Sequence, residues 1–270
     1  MQKLLTIFGL TVAAIIAIAA YPYIEVDDGK ILVTDGKIQF EAGWTNDMPE
    51  ALFTNCVLWQ RFGSDEGTNY IDSSASNNNG QAVGTPVWTN FAGGCISNST
   101  TSAVLMTNST LIDNTASFSV CLWLYGKGAV WDGYFSIKGT VEFIFIAGAS
   151  DATYPGYFGS RGQTAIVSGN SELRPDALSG HWSHLALTYN GGTYSTPANY
   201  TVYLNGVLIT LKNGNTIGTA GTQANYLGKT GYETGFTGLL DDYRIYNRII
   251  TSNEAYSIYL AGSTNGTGAH

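Results

Sequence analysis

Charged side chains are scarce in this chain, since Asp, Glu, Lys and Arg make up only 12% of its 270 residues. The 12 basic residues are outnumbered by 20 acidic ones, and no basic cluster occurs anywhere along the sequence. Nucleic-acid binding needs Lys and Arg concentrated where they can neutralise phosphates. We therefore expect no nucleic-acid partner, and the net charge of −8 indicates a soluble protein that repels polyanions.

Cysteine and histidine are too few and too scattered to build a metal centre. The chain has three of each, with no CxxC and no zinc-finger spacing: Cys56, Cys95, Cys121, His181, His184 and His270. We expect no structural zinc site. No Ser/His/Asp arrangement can be inferred around His184, which is expected to be a hydrogen-bonded structural residue. The three cysteines permit either one disulfide and one buried thiol, or three buried thiols.

Helical periodicity is almost absent after residue 30, whereas turn residues recur about every ten positions. Gly, Asn, Ser, Thr and Tyr are abundant instead. This pattern is typical of all-β proteins, and the length suits one large β-domain of roughly 200 to 250 residues. The sequence therefore predicts an all-β fold.

The exception is the amino-terminal segment, which carries no charge from Leu4 to Ile24. Residues 1–24 predict a hydrophobic helix that is either a membrane anchor or a signal. A span of this length can cross about 30 Å of hydrocarbon, while Ala17-Ile18-Ala19 fits the small-x-small cleavage site of a secretory signal. Both alternatives place the following domain on the extracellular face of a cell or virion membrane, or in the secreted fraction.

Residues 25–55 are predicted to be a connector that contains a β-hairpin. Two strand-like runs, 30–34 and 37–40, flank Asp35-Gly36. This dipeptide is a favoured two-residue hairpin turn, because both residues tolerate positive φ.

Near the end of the chain, residues 238–246 predict a strand with two different faces. Strict alternation places Leu239, Tyr243 and Ile245 on one face. Asp241 then points to the apolar side, where an unpaired carboxylate costs several kcal/mol, so it needs a partner or a metal. Residues 251–254 read as a capping box that begins a short helix through Leu260.

This closing strand resembles that of laminin-G-like domains, which have the concanavalin-A-like jelly-roll fold. Five further segments resemble the family's motifs in the expected order: Val57–Phe62 with the acidic turn 64–67, Ile71–Gly80, Phe118–Tyr125, His181–Tyr189, and Tyr203–Val207 with its Asn205-Gly206 turn. The resemblance covers residues 56–261 and implies a two-sheet antiparallel jelly-roll sandwich, followed by a flexible tail at 262–270. It also implies a domain that binds or builds rather than catalyses.

The loop at 71–80 and the closing strand together suggest a calcium site. Calcium takes six to eight oxygen ligands from carboxylates, amides and carbonyls on irregular loops. Asp72, Asn77, Asn79 and Asp241 offer such oxygens, and the family fold brings the closing strand near this loop. The alternative is that these residues only make hydrogen bonds within the turn.

Two further sets of residues are candidates for contact with sugars. Aromatic rings in Gly-rich, loop-like context can stack on sugar faces: Trp88, Trp131, Tyr134, Tyr154 and Tyr157. Four Asn-x-Ser/Thr sequons are candidates for glycosylation: Asn98, Asn108, Asn199 and Asn265.

We therefore predict a non-catalytic, surface-displayed module for recognition of a glycan or a surface protein, as in adhesion. The alternative is a self-assembling structural subunit of a virion, extracellular filament or surface layer, attached to membrane through residues 4–24. A glycoside hydrolase is a distant third. Glucanases with this fold pair two acids on one strand, whereas Glu25-Val26-Asp27-Asp28 lacks a second Glu and Glu142 stands alone.

Overall fold

The computed structural model describes residues 52–108, 116–127, 133–137, 178–192, 196–209, 225–229 and 235–264, and the backbone of further short strands. The chain divides into two compact units, Met1–Pro49 and Glu50–His270. The backbone alone is described for the strands of the first unit and for three strands between residues 143 and 167.

The first unit contains five short strands: β1 Thr6–Ile7, β2 Leu10–Thr11, β3 Tyr23–Val26, β4 Gly29–Thr34 and β5 Lys37–Glu41. Strand β1 pairs with β2, and β3, β4 and β5 form an antiparallel three-stranded sheet in chain order. Thr34 is the register partner of Lys37, so the strands that flank Asp35-Gly36 are paired.

The hydrophobic helix predicted for residues 1–24 is not supported. The described residues of this segment lie in β1, β2 and the start of β3. Thr6, Ile7 and Thr11 are β-branched, which favours extended backbone over helix. Among the described residues, no helix has both the length and the apolar character needed to cross a membrane.

Register sorts the residues of this three-stranded sheet into an apolar and a polar set. Ile31 is the partner of both Ile24 and Phe40, and Val33 is the partner of Ile38. On the alternate positions, Lys30 is the partner of both Glu25 and Glu41. Because alternate residues of a strand share a face, one face of the sheet takes the apolar set.

The second unit is an antiparallel β-sandwich with one helix. Its strands are β6 Cys56–Gln60, β7 Asn69–Tyr70, β8 Gly80–Val83, β9 Val87–Thr89, β10 Cys95–Asn98, β11 Ala103–Met106, β12 Phe118–Gly126, β13 Gly133–Ile137, β14 Phe143–Ala147, β15 Gly156–Ser160, β16 Ile166–Val167, β17 Trp182–Tyr189, β18 Tyr200–Leu204, β19 Val207–Ile209, β20 Asn225–Leu227 and β21 Gly238–Tyr246. The helix is α1, Ser252–Thr264.

These strands form two eight-stranded sheets. The first has the order β19-β18-β17-β12-β21-β10-β9, with β6 also paired to β21. The second has the order β16-β15-β14-β13-β20-β11-β8-β7. The predicted two-sheet antiparallel sandwich is therefore confirmed.

Alternate residues of the central strands fill the core between the sheets. The first sheet contributes Val120, Leu122 and Leu124 of β12 and Leu185 and Leu187 of β17, and the second contributes Val104, Met106, Phe135, Ile137 and Leu227. Each large apolar side chain that leaves water stabilises the fold by about 1.5–3 kcal/mol. The sandwich is therefore held mainly by this apolar layer.

Strand β21 is shared by three neighbours and carries a β-bulge. On one side it pairs with β12, and on the other its first residues pair with β10 and its last with β6. Trp123 is opposite Asp241 and Cys121 is opposite Arg244, so Asp242 is the extra residue. Its φ of 48° is in the left-handed region that Asp tolerates better than most residues.

Because of the bulge, the prediction that side chains of this strand alternate strictly between its two faces is wrong. Tyr243 and Ile245 lie in the core between the sheets, together with Leu240. Leu239 instead packs on the opposite, outer face, against the cluster of Cys95, Trp123 and Trp182. One extra residue reverses the faces on either side of it.

Helix α1 covers part of this outer face. Its predicted capping box is present, since Thr251 N donates to Glu254 Oε2 at 2.7 Å and Glu254 N donates to Thr251 Oγ1 at 3.2 Å. The Tyr259 ring stacks on Trp123 with centroids 5.7 Å apart. The helix continues to Thr264, beyond the predicted end at Leu260, and the rest of the predicted tail lies outside the described residues.

All three cysteines are free and buried. Cys121 is on β12, whereas Cys56 and Cys95 are on β6 and β10, across β21. Strands lie about 4.8 Å apart, so two strands separated by a third exceed the roughly 7 Å Cα limit of a disulfide. Cys56 is opposite Tyr246. Ile96, the neighbour of Cys95, is opposite Leu240, which is far from Tyr246 along β21. Cys56 and Cys95 are therefore also too far apart for a disulfide. The disulfide alternative is therefore wrong, and the three-thiol alternative holds.

Candidate functional site

Three aromatic rings from different parts of the chain meet at one end of the outer face. Phe91 begins the 3₁₀ turn Phe91–Gly93 between β9 and β10, Tyr125 is near the end of β12, and Trp182 begins β17. The Phe91 and Trp182 rings are stacked, with centroids 6.3 Å apart and 22° between planes. Tyr125 meets both rings edge-on, at 6.2 Å from Phe91 and 5.9 Å from Trp182. We call these three residues the aromatic platform.

The outermost ring of the platform is Phe91, which is 46% exposed, while Trp182 beneath it is only 6% exposed. Glycines hold the turn that carries Phe91. Gly93 and Gly94 have φ of 89° and 121°, and a Cβ on Gly94 would collide with the Phe62 carbonyl. The turn is therefore fixed against the end of β6, and it keeps Phe91 in place without a ligand.

Polar groups border the platform at the strand ends. Lys127 continues β12 by donating its N–H to Thr237 O at 3.2 Å, and His181 precedes Trp182 with Nδ1 3.1 Å from Ser179 O. Both side chains are exposed. Among the residues that the structure describes, neither the Tyr125 hydroxyl nor Lys127 Nζ has a hydrogen-bond partner. An apolar ring bordered by free donors suits a sugar, which has both apolar faces and hydroxyls.

The aromatic residues that were predicted to contact sugar lie elsewhere. Tyr134 is 2% exposed in the core beside Phe236, so its predicted loop position is wrong. Trp88 is half-buried on the core side of the edge strand β9, and its Nε1 donates to Phe62 O at 2.7 Å. Trp131 and Tyr154 lie outside the described residues, and Tyr157 is on β15 with its side chain outside them.

Phe91 also lies in a Gly-rich loop, Asn90-Phe91-Ala92-Gly93-Gly94. The residues predicted from this kind of context are all Trp or Tyr, so Phe91 is not among them. Tyr125 and Trp182 were assigned to strands, and the strand pattern gives no signal that they border a loop from another part of the chain.

The Asp72 carboxylate is saturated by hydrogen bonds. Its Oδ1 accepts from the N–H groups of Trp59 and Ser74, both at 2.8 Å, and its Oδ2 accepts from Ser74 Oγ at 2.8 Å and Asn78 N at 2.7 Å. Asp72 N in turn donates to Asn79 Oδ1 at 2.8 Å. These bonds fasten the loop to strand β6.

The calcium site proposed from Asp72, Asn77, Asn79 and Asp241 stays a prediction. An ion on Asp72 would have to replace at least one of its four donors. Asn77 is exposed and takes a left-handed φ of 55°, which shapes the turn. The described residues contain no group of three or more His, Cys, Asp or Glu side chains placed to hold a metal.

Asp241, the other predicted metal ligand, lies at the bulge next to a charged cluster. Its side chain is buried, and its Oδ1 accepts from Asp242 N at 2.7 Å. Burial, reinforced by the neighbouring Asp242 carboxylate, raises the pKa of Asp241 well above its usual value.

The charged cluster surrounds a second tryptophan on the outer face. Asp242 accepts from Trp59 Nε1 and, bidentately, from Arg244 at 2.9 and 2.7 Å. The Arg61 and Arg244 guanidinium groups lie over the Trp59 ring, at 4.9 and 4.5 Å from its centroid. The exposed Phe53 ring contacts Trp59 at 5.3 Å. We call these five residues the Trp59 cluster. Within it, the Trp59 indole N–H, the Asp242 carboxylate and the Arg244 guanidinium are paired with one another.

Only some of the predicted glycosylation sites are accessible. Asn98 is 4% exposed, and its Nδ2 donates to Gly228 O at 3.0 Å and Phe236 O at 2.9 Å, so an attached sugar is incompatible with this fold. Asn108 is exposed, although its Nδ2 donates to Asn78 Oδ1 at 2.6 Å. Asn199 ends the 3₁₀ turn before β18 and is half-buried. Asn265 lies outside the described residues.

A family model described as the concanavalin A-like lectin/glucanases superfamily, Laminin_G_3, matches residues 98–255. The resemblance inferred from the motifs is therefore confirmed over more than half of the chain. No curated protein matches the sequence significantly.

Solved structures with the same fold are distant in sequence. Domain 4 of AbnA, a GH43 extracellular arabinanase from Geobacillus stearothermophilus solved with arabinotriose, has a TM-score of 0.57 and 18% identity, covering 76% of this chain and 98% of that one. The binding domain of Paraclostridial Mosquitocidal Protein 1 has a TM-score of 0.54 and 15% identity, covering 77% and 52%. The binding domain of botulinum neurotoxin DC in complex with SialylT has a TM-score of 0.52 and 12% identity, covering 79% and 53%. This chain thus spans about half of the toxin binding domains.

Proposed function

Because this chain belongs to the concanavalin A-like lectin/glucanase superfamily, we propose that it is a non-catalytic module that binds a glycan at the aromatic platform. The observation that carries the proposal is the exposed Phe91 ring, held on Trp182 and bordered by the Tyr125 hydroxyl, for which the described residues offer no partner. Distant members of the fold, the arabinanase domain and the toxin domain, were solved with arabinotriose and SialylT, which agrees with this class of ligand.

The platform suits a sugar because its geometry exists before the ligand arrives. Trp182 and Tyr125 support Phe91 from below and from the side, so stacking a pyranose ring on Phe91 orders no new side chain. Preorganisation of this kind lowers the entropic cost of binding. The hydroxyl of Tyr125 can then exchange hydrogen bonds with the sugar hydroxyls at the edge of the ring.

Among the described residues, the two acids of β21, Asp241 and Asp242, are poorly placed for catalysis. Asp242 is held by Arg244 and by Trp59 Nε1, and Asp241 is buried. A glycosidase needs two carboxyl groups that face the scissile bond from opposite sides. This arrangement supports binding rather than cleavage, in keeping with a module that recognises sugar on a surface.

The proposal is tested by replacing Phe91. Burial of its exposed surface against a sugar contributes roughly 1–2 kcal/mol, so Phe91→Ala should weaken binding about tenfold. The matched control is Phe53→Ala, because Phe53 is also an exposed ring against a tryptophan, but it belongs to the Trp59 cluster. The measurement is a glycan array followed by calorimetry on the sugars that bind. Equal losses in the two variants, or binding unchanged by Phe91→Ala, would reject the platform.

A second proposal, self-assembly or membrane association through the first unit, is favoured by its three-stranded sheet. A sheet this small needs its apolar face covered to be stable, and the register gives that face to Ile24, Ile31, Val33, Ile38 and Phe40. We propose that copies of the chain, or a membrane, cover it and so display the sandwich outside a cell or virion.

Light scattering and membrane flotation of the full chain test this second proposal. Ile31→Asp should release monomers into the soluble fraction, because it places a charge on the apolar face. Leu32→Asp is the matched control, since Leu32 belongs to the opposite face by register. A full chain that is monomeric and free of membranes would refute the proposal.

A further inference from the structure

We infer that the sugar bound at the aromatic platform is acidic, with a single carboxylate held by Lys127 and His181. This inference rests on the proposed glycan binding and adds the chemical class of the ligand. It is carried by the distribution of charge at this end of the sandwich.

The described segments that carry the three rings contain basic side chains and no acidic one. They are residues 87–94, 125–127 and 178–182, and their basic residues are Lys127 and His181. The chain as a whole has 20 acidic and 12 basic residues. Positive charge is thus concentrated at this place although the chain as a whole is acidic. Such a local positive potential favours a negatively charged partner.

Lys127 and His181 lie at the ends of neighbouring strands, next to two of the platform rings. Tyr125 pairs with Trp182 in the β12–β17 ladder. Lys127 is two residues beyond Tyr125 and therefore continues its face. His181 immediately precedes Trp182. Lys127 and His181 thus border the rings at the edge where β12 ends and β17 begins.

The hydrogen bonds of these two residues leave polar groups for a ligand. A carbonyl oxygen only accepts, so the contact of His181 Nδ1 with Ser179 O places a proton on Nδ1. Nε2 then accepts from a sugar hydroxyl when the ring is neutral and donates to a carboxylate when the ring is protonated. Within the described part of the chain, Lys127 is held only through its backbone N–H, which donates to Thr237 O. Its ammonium group can therefore make a charge-assisted hydrogen bond to a carboxylate.

The net charge of −8 limits the ligand to one or a few acidic groups. Of the acids of β21, Asp242 is paired with Arg244, and Asp241 is buried, which raises its pKa and favours its neutral form. A long polyanion would extend past the basic edge and meet the acidic remainder of the surface. A terminal acidic sugar keeps its charge beside Lys127 and its apolar face on Phe91.

The experiment compares acidic sugars with the same sugars made neutral. The probes are 3′-sialyllactose and digalacturonic acid, each with its methyl ester, and a heparin hexasaccharide as the polyanion, titrated by calorimetry at 20 and 300 mM salt. We expect at least one acid to bind about tenfold more tightly than its ester at low salt, and the preference to shrink at high salt. Heparin should bind no better than the esters.

Substitutions then assign the preference to residues. Lys127→Gln should reduce the preference for acid over ester at least threefold, while Lys127→Arg keeps most of it. The control is Lys229→Gln, because Lys229 lies over the Tyr226 ring in the other sheet. Matching melting curves establish that the variants are folded.

The outcomes separate the two proposals. If neutral sugars bind through Phe91 as tightly as acidic ones, or if Lys127→Gln leaves the preference intact, the acidic-sugar inference is wrong and glycan binding stands. If Phe91→Ala changes no binding at all, or no glycan binds, both proposals are wrong.

Discussion

Two tryptophans on the same outer face are each covered by an exposed phenylalanine, yet their surroundings differ. Around Trp59, the indole N–H, the Asp242 carboxylate and the Arg244 guanidinium satisfy one another. Around Trp182, the hydroxyl of Tyr125 has no partner among the described residues. Polar groups that are all hydrogen-bonded to one another stabilise a fold. Polar groups without such partners beside an aromatic ring are available to a ligand. The predictions below test this difference.

The largest effect is expected for Arg244→Met in the Trp59 cluster. Arg244 is 3% exposed, and its removal leaves the Asp242 carboxylate without its bidentate partner. Breaking such a pair should cost about 3–5 kcal/mol in the free energy of unfolding, measured by urea denaturation. The double variant Asp242→Asn/Arg244→Met should lose less than the sum of the single losses. Additive losses would show that the pair is not coupled.

A loss of about 3 kcal/mol or more is expected for Asp72→Ala, because three backbone N–H groups and one hydroxyl lose a buried acceptor. Asp65→Ala is the matched control, since Asp65 is exposed and accepts from Gly67 N. It should cost less than about 1 kcal/mol. Similar losses in the two variants would mean that the Asp72 hydrogen bonds contribute little.

The same variant tests the proposed calcium ion. If calcium replaces one of the donors on Asp72, a chelator should lower the melting temperature of the calcium-loaded wild type by several degrees, as expected for about 2.7 kcal/mol of binding energy. Asp72→Ala should abolish that difference. Superimposable melting curves with and without chelator would leave Asp72 as a hydrogen-bond acceptor alone.

A smaller effect, on the order of 1 kcal/mol, is expected from Asp241→Asn. Burial, with the Asp242 charge, raises the pKa of Asp241, so the folded state keeps a proton that the unfolded chain releases above about pH 4. Stability therefore falls as pH rises from the unfolded pKa to the folded one. The variant should be at least as stable as wild type at pH 7, with a flatter profile from pH 4 to 8 in urea titrations. A steeper profile would contradict this sign.

The smallest effect on stability is expected for Lys127→Gln at the platform. Its side chain is exposed and has no partner among the described residues, so the free energy of unfolding should change by less than about 0.5 kcal/mol. The comparison of the two tryptophans thus predicts a small loss of stability for Lys127→Gln and a large one for Arg244→Met. A loss above 1 kcal/mol would show that Lys127 supports the fold, and its assignment to a ligand would fail.

Features set by neighbours in sequence were predicted well. Asn205 and Gly206 both have positive φ, 51° and 76°, as their hairpin turn requires, and Thr251 and Glu254 form the expected capping box. The family motifs gave the sandwich and its sheets.

Features set by distant contacts were not predicted. The bulge at Asp242 occurs where β10 ends and β6 begins along the same side of β21, which no local pattern reveals. The platform likewise depends on the 3₁₀ turn that places Phe91 on Trp182, two residues far apart in the chain. Periodicity assigns a residue to a face but does not say which loop covers it.

The central position of β21 has a consequence for biosynthesis. The strand that the ribosome makes last in the sandwich separates β12 from β6 and β10, which are made much earlier. Until residues 238–246 emerge, those earlier strands keep unpaired edges in the middle of the sheet. Folding dominated by such non-local pairing is slow, and exposed strand edges invite aggregation. The sandwich is therefore completed only after residues 238–246 have left the ribosome, and a chain cut short before residue 238 has no central strand around which to close.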